Sequence, residues 1–461
     1  MDQHGCAKNQ VDGEILVTRL ENLGYTKTDD PASADFIIVN SCGFISSAKQ
    51  ESLDAVIDAR SSYPNAKILL AGCLAERYAK ELDSELSEAD GFFGNGDLSK
   101  IDGTVKSLLD GERPVVVPPQ KGVCCGDRNT LLSFKGSAYV KITEGCDNHC
   151  TFCAIPIIRG ELRSRKCSDI VEEIKLLVQK KNVREINLIG QDLAAFGCGK
   201  NDEVCGDGPE SKSTDGKSYL ARLMEEISKI AGEFWVRLLY IHPDHFNCDI
   251  LDVMKKDSRF LPYFDIPFQS GDDGIIKAMN RKGSFDSYKN LVCKIRTAFS
   301  ESCIRTTFLT GFPGETDEAA ERTKKFLETI ESDWSGCFEY SSEDGTPASK
   351  MKGKVKSSLA KKRADILREV QSKITEEKLK SRLGKIYDVL IEEVIENHDG
   401  TDDGLAIGRA WFEAPDVDGS FVVRYDLDDP KAVSRVVPGA LVKAKAIASS
   451  QVDVDGVLCE S

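Results

Sequence analysis

Eight residues, Cys146-Asp147-Asn148-His149-Cys150-Thr151-Phe152-Cys153, constrain this chain more than any other stretch. They set three cysteines at C-x3-C-x2-C spacing directly after an apolar, strand-like run, Ala138-Tyr139-Val140-Lys141-Ile142. Three thiolates on one tight loop can hold three irons of a cubane 4Fe–4S cluster, and the lack of a fourth cysteine leaves one iron open to a small ligand. An open iron on a low-potential cluster is what S-adenosylmethionine needs for reductive cleavage, so the loop predicts carbon-radical chemistry. A zinc loop is the competing reading. Zinc takes cysteine pairs with a second pair or a histidine pair further on; no such partner follows, and ligand count and softness favour iron–sulfur.

With 461 residues the chain has length for two to four domains and an ample core. At 41% hydrophobic and 30% charged it reads as an ordinary soluble protein, with no run near the roughly 18 apolar residues of a membrane span. The start, Met1-Asp2-Gln3-His4-Gly5-Cys6, lacks the basic and apolar segments of a signal peptide, so a cytoplasmic location is expected. In that setting the sixteen cysteines point to thiols and metal ligation rather than disulfides. The net charge of −15 disfavours a protein that wraps nucleic acid and makes a basic protein the more natural partner.

Residues 1–115 alternate helix and strand. Val11, Ile15, Leu16, Leu20 and Leu23 recur at helical spacing up to Gly24, and Ala48 to Arg60 reads as a second helix. Phe36-Ile37-Ile38-Val39 and Ile68-Leu69-Leu70-Ala71 read as buried strands, which predicts a parallel sheet covered on both faces. The prolines and glycines of 112–134 predict a linker, taken as 116–136 between domains. From 137 to 355, six strands (138–142, 185–190, 235–239, 263–268, 304–310, 336–340) alternate with helices and predict a partial barrel; 198–217 reads as a polar surface loop. Residues 356–383 read as a charged linking helix. Residues 384–461 turn to short strands and predict a small β-barrel, with seven basic and sixteen acidic residues.

Cys6, Cys42 and Cys73 occupy one topological place, the carboxyl ends of parallel strands, whose loops converge in a ligand-binding crevice of open α/β sheets. Gly5, Gly43 and Gly72 beside them permit close backbone approach to a bulky group. Three ordinary buried cysteines are the bland alternative; three at equivalent strand ends predict a second cubane, again with one iron free of protein ligands. The remaining cysteines, Cys124-Cys125 in the linker and Cys198 and Cys205 in the polar loop among them, read as structural or incidental. His149 reads as shaping its loop, and Gly94-Asn95-Gly96 is too short to argue for dinucleotide binding.

Together with Gly5-Cys6-Ala7-Lys8-Asn9-Gln10-Val11-Asp12, Asn40-Ser41-Cys42-Gly43, Gly72-Cys73-Leu74, Glu144-Gly145-Cys146, Arg159-Gly160-Glu161-Leu162-Arg163-Ser164-Arg165, Gln191-Asp192, Asp265-Ile266-Pro267-Phe268-Gln269 and Gly311-Phe312-Pro313-Gly314-Glu315-Thr316, the chain resembles the radical-SAM methylthiotransferases over nearly its whole length. The resemblance implies a flavodoxin-like N-terminal domain, an open (β/α)6 radical-SAM barrel and a TRAM, OB-like β domain. Lys8-Asn9-x-Val11-Asp12, Arg163-Ser164-Arg165 and Ala406-Ile407-Gly408-Arg409 with Ala414-Pro415-Asp416 resemble the branch acting on an aspartate of small-subunit ribosomal protein S-twelve, and an acidic last domain suits that basic substrate. Gln269-Ser270-Gly271 is closer to the branch acting on an adenosine of transfer RNA. The family's first strand is expected to be largely missing here.

By that resemblance, Cys146, Cys150 and Cys153 bind the radical cluster and Cys6, Cys42 and Cys73 the auxiliary cluster, which supplies sulfur. Two S-adenosylmethionine are used per turnover, one as radical source and one as methyl donor, with an electron donor as partner. Phe152 is expected against the adenine. Gln191, Asp192, Gln269 and Glu315, at or after barrel strands, are cofactor-contact candidates or loop caps, and Arg163 and Arg165 either hold a carboxylate or form surface salt bridges. Methylthiolation of transfer RNA and a non-catalytic RNA-binding protein with zinc-stabilised loops are the rival functions.

Overall fold

The computed structural model describes residues 1–123, 125–126, 128–202, 204, 216–395 and 403–460. Cys124, Cys205 and most of the polar 198–217 loop lie outside the described residues. No described helix is long and apolar enough to cross a membrane.

The N-terminal sheet is parallel throughout, as the apolar runs predict. Its elements are β1 (Asp2–Gln3), α1 (Ala7–Asn22), β2 (Phe36–Ser41), α2 (Ser46–Ser62), β3 (Lys67–Gly72), α3 (Cys73–Glu85), β4 (Gly91–Phe93), α4 (Ile101–Leu109) and β5 (Val115–Val116). Alternate residues of β2 and β3 face opposite ways. Ile38, Leu69 and Ala71 pack with Val11, Leu16 and Val105 of α1 and α4, whereas Ile37, Val39, Ile68 and Leu70 pack with Val56 and Ala75 of α2 and α3. The strands lie in the order β1-β2-β3-β4-β5, without the reversal of flavodoxin order. The first strand has two residues, which pair as Asp2↔Val39 and Gln3↔Asn40. Val115–Val116, inside the stretch that its prolines mark as linker, instead adds the fifth strand beside Phe92–Phe93. Pro114 and Pro118 flank that pairing and do not interrupt it.

The second unit begins with β6 (Ser137–Lys141), β7 (Thr143–Glu144), α5 (Ile155–Arg159), β8 (Arg163–Ser164), α6 (Cys167–Lys181) and β9 (Glu185–Ile189). It continues through α7 (Tyr219–Ser228), β10 (Trp235–Leu238), α8 (Asp249–Lys256), β11 (Phe260–Asp265), α9 (Asp273–Ala278), α10 (Phe285–Ala298), β12 (Cys303–Thr310), α11 (Asp317–Ile330) and β13 (Trp334–Glu339). Its six-stranded parallel sheet has the order β13-β12-β11-β10-β9-β6 and matches the six predicted strands. β7 and β8 form a short antiparallel pair, Thr143↔Ser164 and Glu144↔Arg163, that the sequence did not announce. The long helix α12 (Ser357–Lys380) leads to β14 (Ile386–Ile395), β15 (Asp403–Arg409), β16 (Phe421–Asp426), α13 (Pro430–Arg435), β17 (Leu441–Ser449) and β18 (Val454–Leu458), whose strands close into a barrel.

The amino-terminal end of the partial barrel is filled by the small barrel. Arg409 grips Glu185 bidentately at 3.0 and 2.6 Å, Arg237 reaches the same carboxylate at 3.0 Å, and all three are buried. Tyr263 Oη donates to Asp418 at 2.5 Å, and Trp334 Nε1 donates to the Phe412 carbonyl at 2.8 Å. Glu413 is enclosed in this junction with one carboxylate oxygen unpartnered. Burial pushes its carboxyl up to about 8 and Asp418 adds to that, against the Ala410 N–H and the Arg382 and Arg409 guanidiniums. A group raised in the folded state stabilises fully below its unfolded pKa, and that stability is lost as pH rises through the folded one. Stability should therefore fall between about pH 4.5 and 8 by up to about 5 kcal/mol from this group. In Glu413→Gln that slope disappears; urea unfolding at pH 5.5, 7 and 8.5 checks it, and an unchanged slope refutes the assignment.

Candidate active site

α1 is buried nearly all round, polar residues included, because it lies between its own sheet and the partial barrel. Cys6 caps its amino terminus, Cys42 follows β2 and Cys73 opens α3. The three thiols meet at the carboxyl end of adjacent strands. A Cβ added at Gly5 would stand 3.1 Å from Cys42 Cβ, and one added at Gly43 would stand 2.4 Å from the Cys73 carbonyl oxygen. Gly72, at φ 92°, makes the turn that points Cys73 inward, and a Cβ there would meet the Ser41 backbone at 2.8 Å.

The electrostatics of this triad are uneven. Burial pushes the Cys42 thiol up to about 12, with Cys73 and Cys6 adding to the rise and the Phe44 N–H opposing it. Desolvation also acts on Cys6, but Lys8, Arg159 and the N–H groups of Asn9 and Lys8 outweigh it and bring that thiol below its ordinary value. Cys73 Sγ receives Arg159 Nη2 at 3.2 Å and Asn95 Nδ2 at 3.3 Å. The Gly94-Asn95-Gly96 turn, unremarkable by its length, thus serves the thiol site.

Cys146, Cys150 and Cys153 occupy the loop that β7 and β8 pinch at its base. Cys146 N–H donates to the Gly160 carbonyl at 3.1 Å and Cys153 N–H to that of Cys150 at 3.0 Å. Thr151 binds the end of α9 through the Ala278 and Met279 carbonyls, and Asn280 Nδ2 donates to the His149 carbonyl at 3.1 Å. His149 is exposed with φ 48°, so it shapes the turn as expected. Burial pushes Cys146 up to about 11, with Asp192 and Cys150 adding to the rise, and Cys153 up to about 12, with Cys150 and Cys146 adding to it. His242 is held neutral, its pKa brought down to about 3 by burial and by Arg281. Its Nδ1 accepts the Asp244 N–H, so Nε2 carries the proton and faces Cys150 Sγ at 3.8 Å. Both triads fit a metal cluster: soft donors gathered in threes and glycine cradles a Cβ would fill. Their protons would leave on metal binding.

The remaining predicted residues separate by what their atoms already do. Phe152 packs with Ile275, Met279 and Phe312, with the Arg281 guanidinium 6.0 Å from its ring. Gln191 Nε2 reaches Glu144 at 3.4 Å and its Oε1 is buried without a partner, which leaves an acceptor available at the barrel mouth. Asp192 caps Leu193–Ala195 and accepts from Asn148 at 3.0 Å, from His245 at 2.9 Å and from the His242 N–H at 3.1 Å. Gln269 has φ 70° and bridges Phe308, an unusual backbone for a residue other than glycine. Glu315 accepts from Gly311 N–H at 2.7 Å and from Arg363 at 2.8 Å, so it caps its own turn. Arg163 donates to the carbonyls of Gly122, Glu161 and Arg159, and Arg165 binds Glu173 and the Lys141 carbonyl. The turns around the loop take up the donors of Arg163, whereas Arg165 keeps its buried Nε without a partner.

Arg159, which the motif contains but to which the sequence assigned no task, joins the two sites. From α5 it reaches Cys73 while pairing Asp12 at 2.9 Å and Glu144 at 2.7 Å; Lys141 completes the network with Asp12 and with Glu144 at 2.6 Å. All four charged side chains are buried. The signal was present as acidic residues on an otherwise buried helix, but their partners lie more than a hundred residues away.

Three stretches match known families: Uncharacterized protein family UPF0004 over residues 1–94, the Radical SAM superfamily over 140–327 and the TRAM domain over 383–458. Among solved structures, the radical S-adenosylmethionine methyltransferase TsrM of Kitasatospora setae, with cobalamin and a [4Fe-4S] cluster bound, shares the fold at TM-score 0.53 and 12% identity, over 75% of this chain and 74% of that one. Ribosomal protein uS12 methylthiotransferase RimO of Treponema denticola is 51% identical over 99% of this chain and 100% of its own. The proteins of the same name from Clostridioides difficile and Thermotoga maritima are 37% and 36% identical, covering 92% and 91% of this chain and 92% of each relative. A full-length likeness at that level, with each of the three units matched in order, places the chain in the radical-SAM methylthiotransferase family of the uS12 (RimO) type.

Proposed function

We propose that the chain methylthiolates the β-carbon of an aspartate of ribosomal protein uS12. The single observation that carries this is the bridge at Arg159, whose guanidinium binds Cys73 of one thiol triad from the helix that follows the other. Cys146, Cys150 and Cys153 would hold the radical cluster, and Cys6, Cys42 and Cys73 the auxiliary one. When bound, the two 4Fe–4S clusters and S-adenosylmethionine supply the electron, the radical and the sulfur. The chain's residues supply placement. Asn148 and Asp192 brace the loop, His242 directs an N–H at the Cys150 sulfur, and Gln191 offers its free carbonyl oxygen at the mouth. Phe152 is the adenine neighbour, while the capped Glu315 supports its turn. Buried ion pairs among Asp12, Lys141, Glu144 and Arg159 fix the separation of the two sites, which sets the geometry between radical and substrate.

The working units are 1–115, with Val116 of β5 added to its sheet, 137–355 and, after helix 356–383, 384–461. The last carries net charge −9, with Asp426, Asp428 and Asp429 exposed, which favours a basic protein over transfer RNA as substrate. The reading calls for an electron donor and for a cytoplasmic location, in keeping with a ribosomal substrate. The test is mass spectrometry of uS12 and of transfer RNA from cells lacking this chain. The expected result is loss of the methylthio group from the uS12 aspartate alone; loss from a transfer RNA adenosine instead would transfer the assignment to the rival substrate, and zinc without iron in the purified protein would remove the radical reading.

A further inference from the structure

Among the cations between or beside the two thiol triads are Arg159, Lys141, Arg305 and Lys8, and the first three are matched by carboxylates. Arg159 and Lys141 share Asp12 and Glu144, and Arg305 pairs with Asp265 at 3.2 Å and Asp418 at 3.3 Å. Lys8 is not. Its backbone sits two residues after Cys6 on α1, its side chain is buried, and its ammonium extends across to the barrel mouth. There it donates to the Gly190 carbonyl at 3.2 Å and stands 3.4 Å from the centroid of the Tyr240 ring. The neighbouring carboxylates, Asp265 and Glu144, are held by Arg305 and by Lys141 and Arg159. A carbonyl and an aromatic face are weak compensation for a buried ammonium. Tyr240 holds φ 67° to keep its ring in place, with its N–H on Asp265 at 3.1 Å; such strain in a bulky residue collects where function requires a fixed geometry.

We propose that Lys8 is the residue that selects and positions the substrate's carboxylate, its ammonium taking the side-chain carboxylate of the target aspartate at the barrel mouth between Cys6 and Gly190. This rests on the aspartate reading and deepens it. The carboxylate carbon is bonded to the β-carbon, so an ammonium–carboxylate contact fixes that β-carbon within about 5 Å of Nζ. The contact lies over the ends of β9 and β10, at the mouth that the radical loop also borders. Arg281 stands on the other side of the radical loop, its Nη1 on the Pro267 carbonyl at 2.5 Å and its guanidinium 6.0 Å from the Phe152 ring. A neutral amide in place of the carboxylate would leave the ammonium as unmatched as before, so Lys8 discriminates aspartate from asparagine.

The experiment measures binding of uS12, with the target position as Asp or as Asn, to the reconstituted full-length chain in wild-type, Lys8→Gln and Lys8→Arg forms. Wild type should bind the Asp form about 10- to 100-fold more tightly than the Asn form, in line with a hydrogen-bonded charge pair. Lys8→Gln should lose that preference with its affinity for the Asn form unchanged, and Lys8→Arg should retain part of it. Equal discrimination by Lys8→Gln and wild type overturns the proposal. So does a Lys8→Gln loss of both forms alike, which makes Lys8 a scaffold residue. Failure of wild type to bind either form refutes the uS12 reading itself, and is distinguished by the mass spectrometry of unmodified cells.

Discussion

Replacing Cys6, Cys42 and Cys73 together by alanine is expected to lower the iron of the anaerobically reconstituted chain from about eight to about four per molecule. Methylthio transfer should vanish, while cleavage of S-adenosylmethionine to 5′-deoxyadenosine continues. The reason is the separation of tasks proposed for the triads. The N-terminal thiols lie on loops of the parallel sheet, and the radical loop is braced by Asn148, Thr151 and Asn280 without them. The reciprocal change of Cys146, Cys150 and Cys153 should remove the other four irons and stop cleavage altogether. Iron and sulfide assay with product analysis checks both. A Cys6/Cys42/Cys73 variant that keeps about eight irons would show these thiols to be ordinary buried cysteines.

Arg159→Ala is expected to destabilise the fold by about 3–5 kcal/mol, because it leaves Asp12 and Glu144 buried opposite Lys141 alone and removes the donor from Cys73. Arg159 is 2% exposed, so solvent cannot take over its role. Arg159→Lys should recover part of the charge pairing and not the fork that serves Asp12, Glu144 and Cys73 at once. Guanidinium unfolding of both variants, with a double-mutant cycle against Asp12→Asn, measures this. A loss below about 1 kcal/mol, or no coupling in the cycle, would mean the network is spectator packing.

Much of the architecture could be read from local pattern. Phe36–Val39, Ile68–Ala71 and the six barrel strands are apolar runs whose burial on both faces needs helices above and below, and helices are what the intervening segments form. The six cysteines could be read because their placement after strands is itself local. Less was legible where a segment's role depends on its neighbour. Val115–Val116 lies among prolines and pairs because Phe92–Phe93 offers an edge. Arg163 and Arg165 carry the composition of a carboxylate site, yet nearby carbonyls take up the donors of Arg163, and Glu173 and the Lys141 carbonyl hold Nη1 of Arg165. Asn95, Arg159 and Lys8 show no sign of their tasks in their own surroundings along the chain.

The sequence alone determined the donor chemistry: which residues carry soft sulfur, which turns place them at strand ends, and which segments must be strand or helix. Those properties follow from side-chain type and from spacing along a covalent backbone. Tertiary structure alone decided how the charges are matched. Asp12 meets Arg159 and Arg409 meets Glu185 only once the units are packed together. The cost of burying a charge, and the worth of the group that compensates it, arise only when distant segments have excluded water from between them, so Lys8 becomes a buried cation without a carboxylate only in the folded molecule.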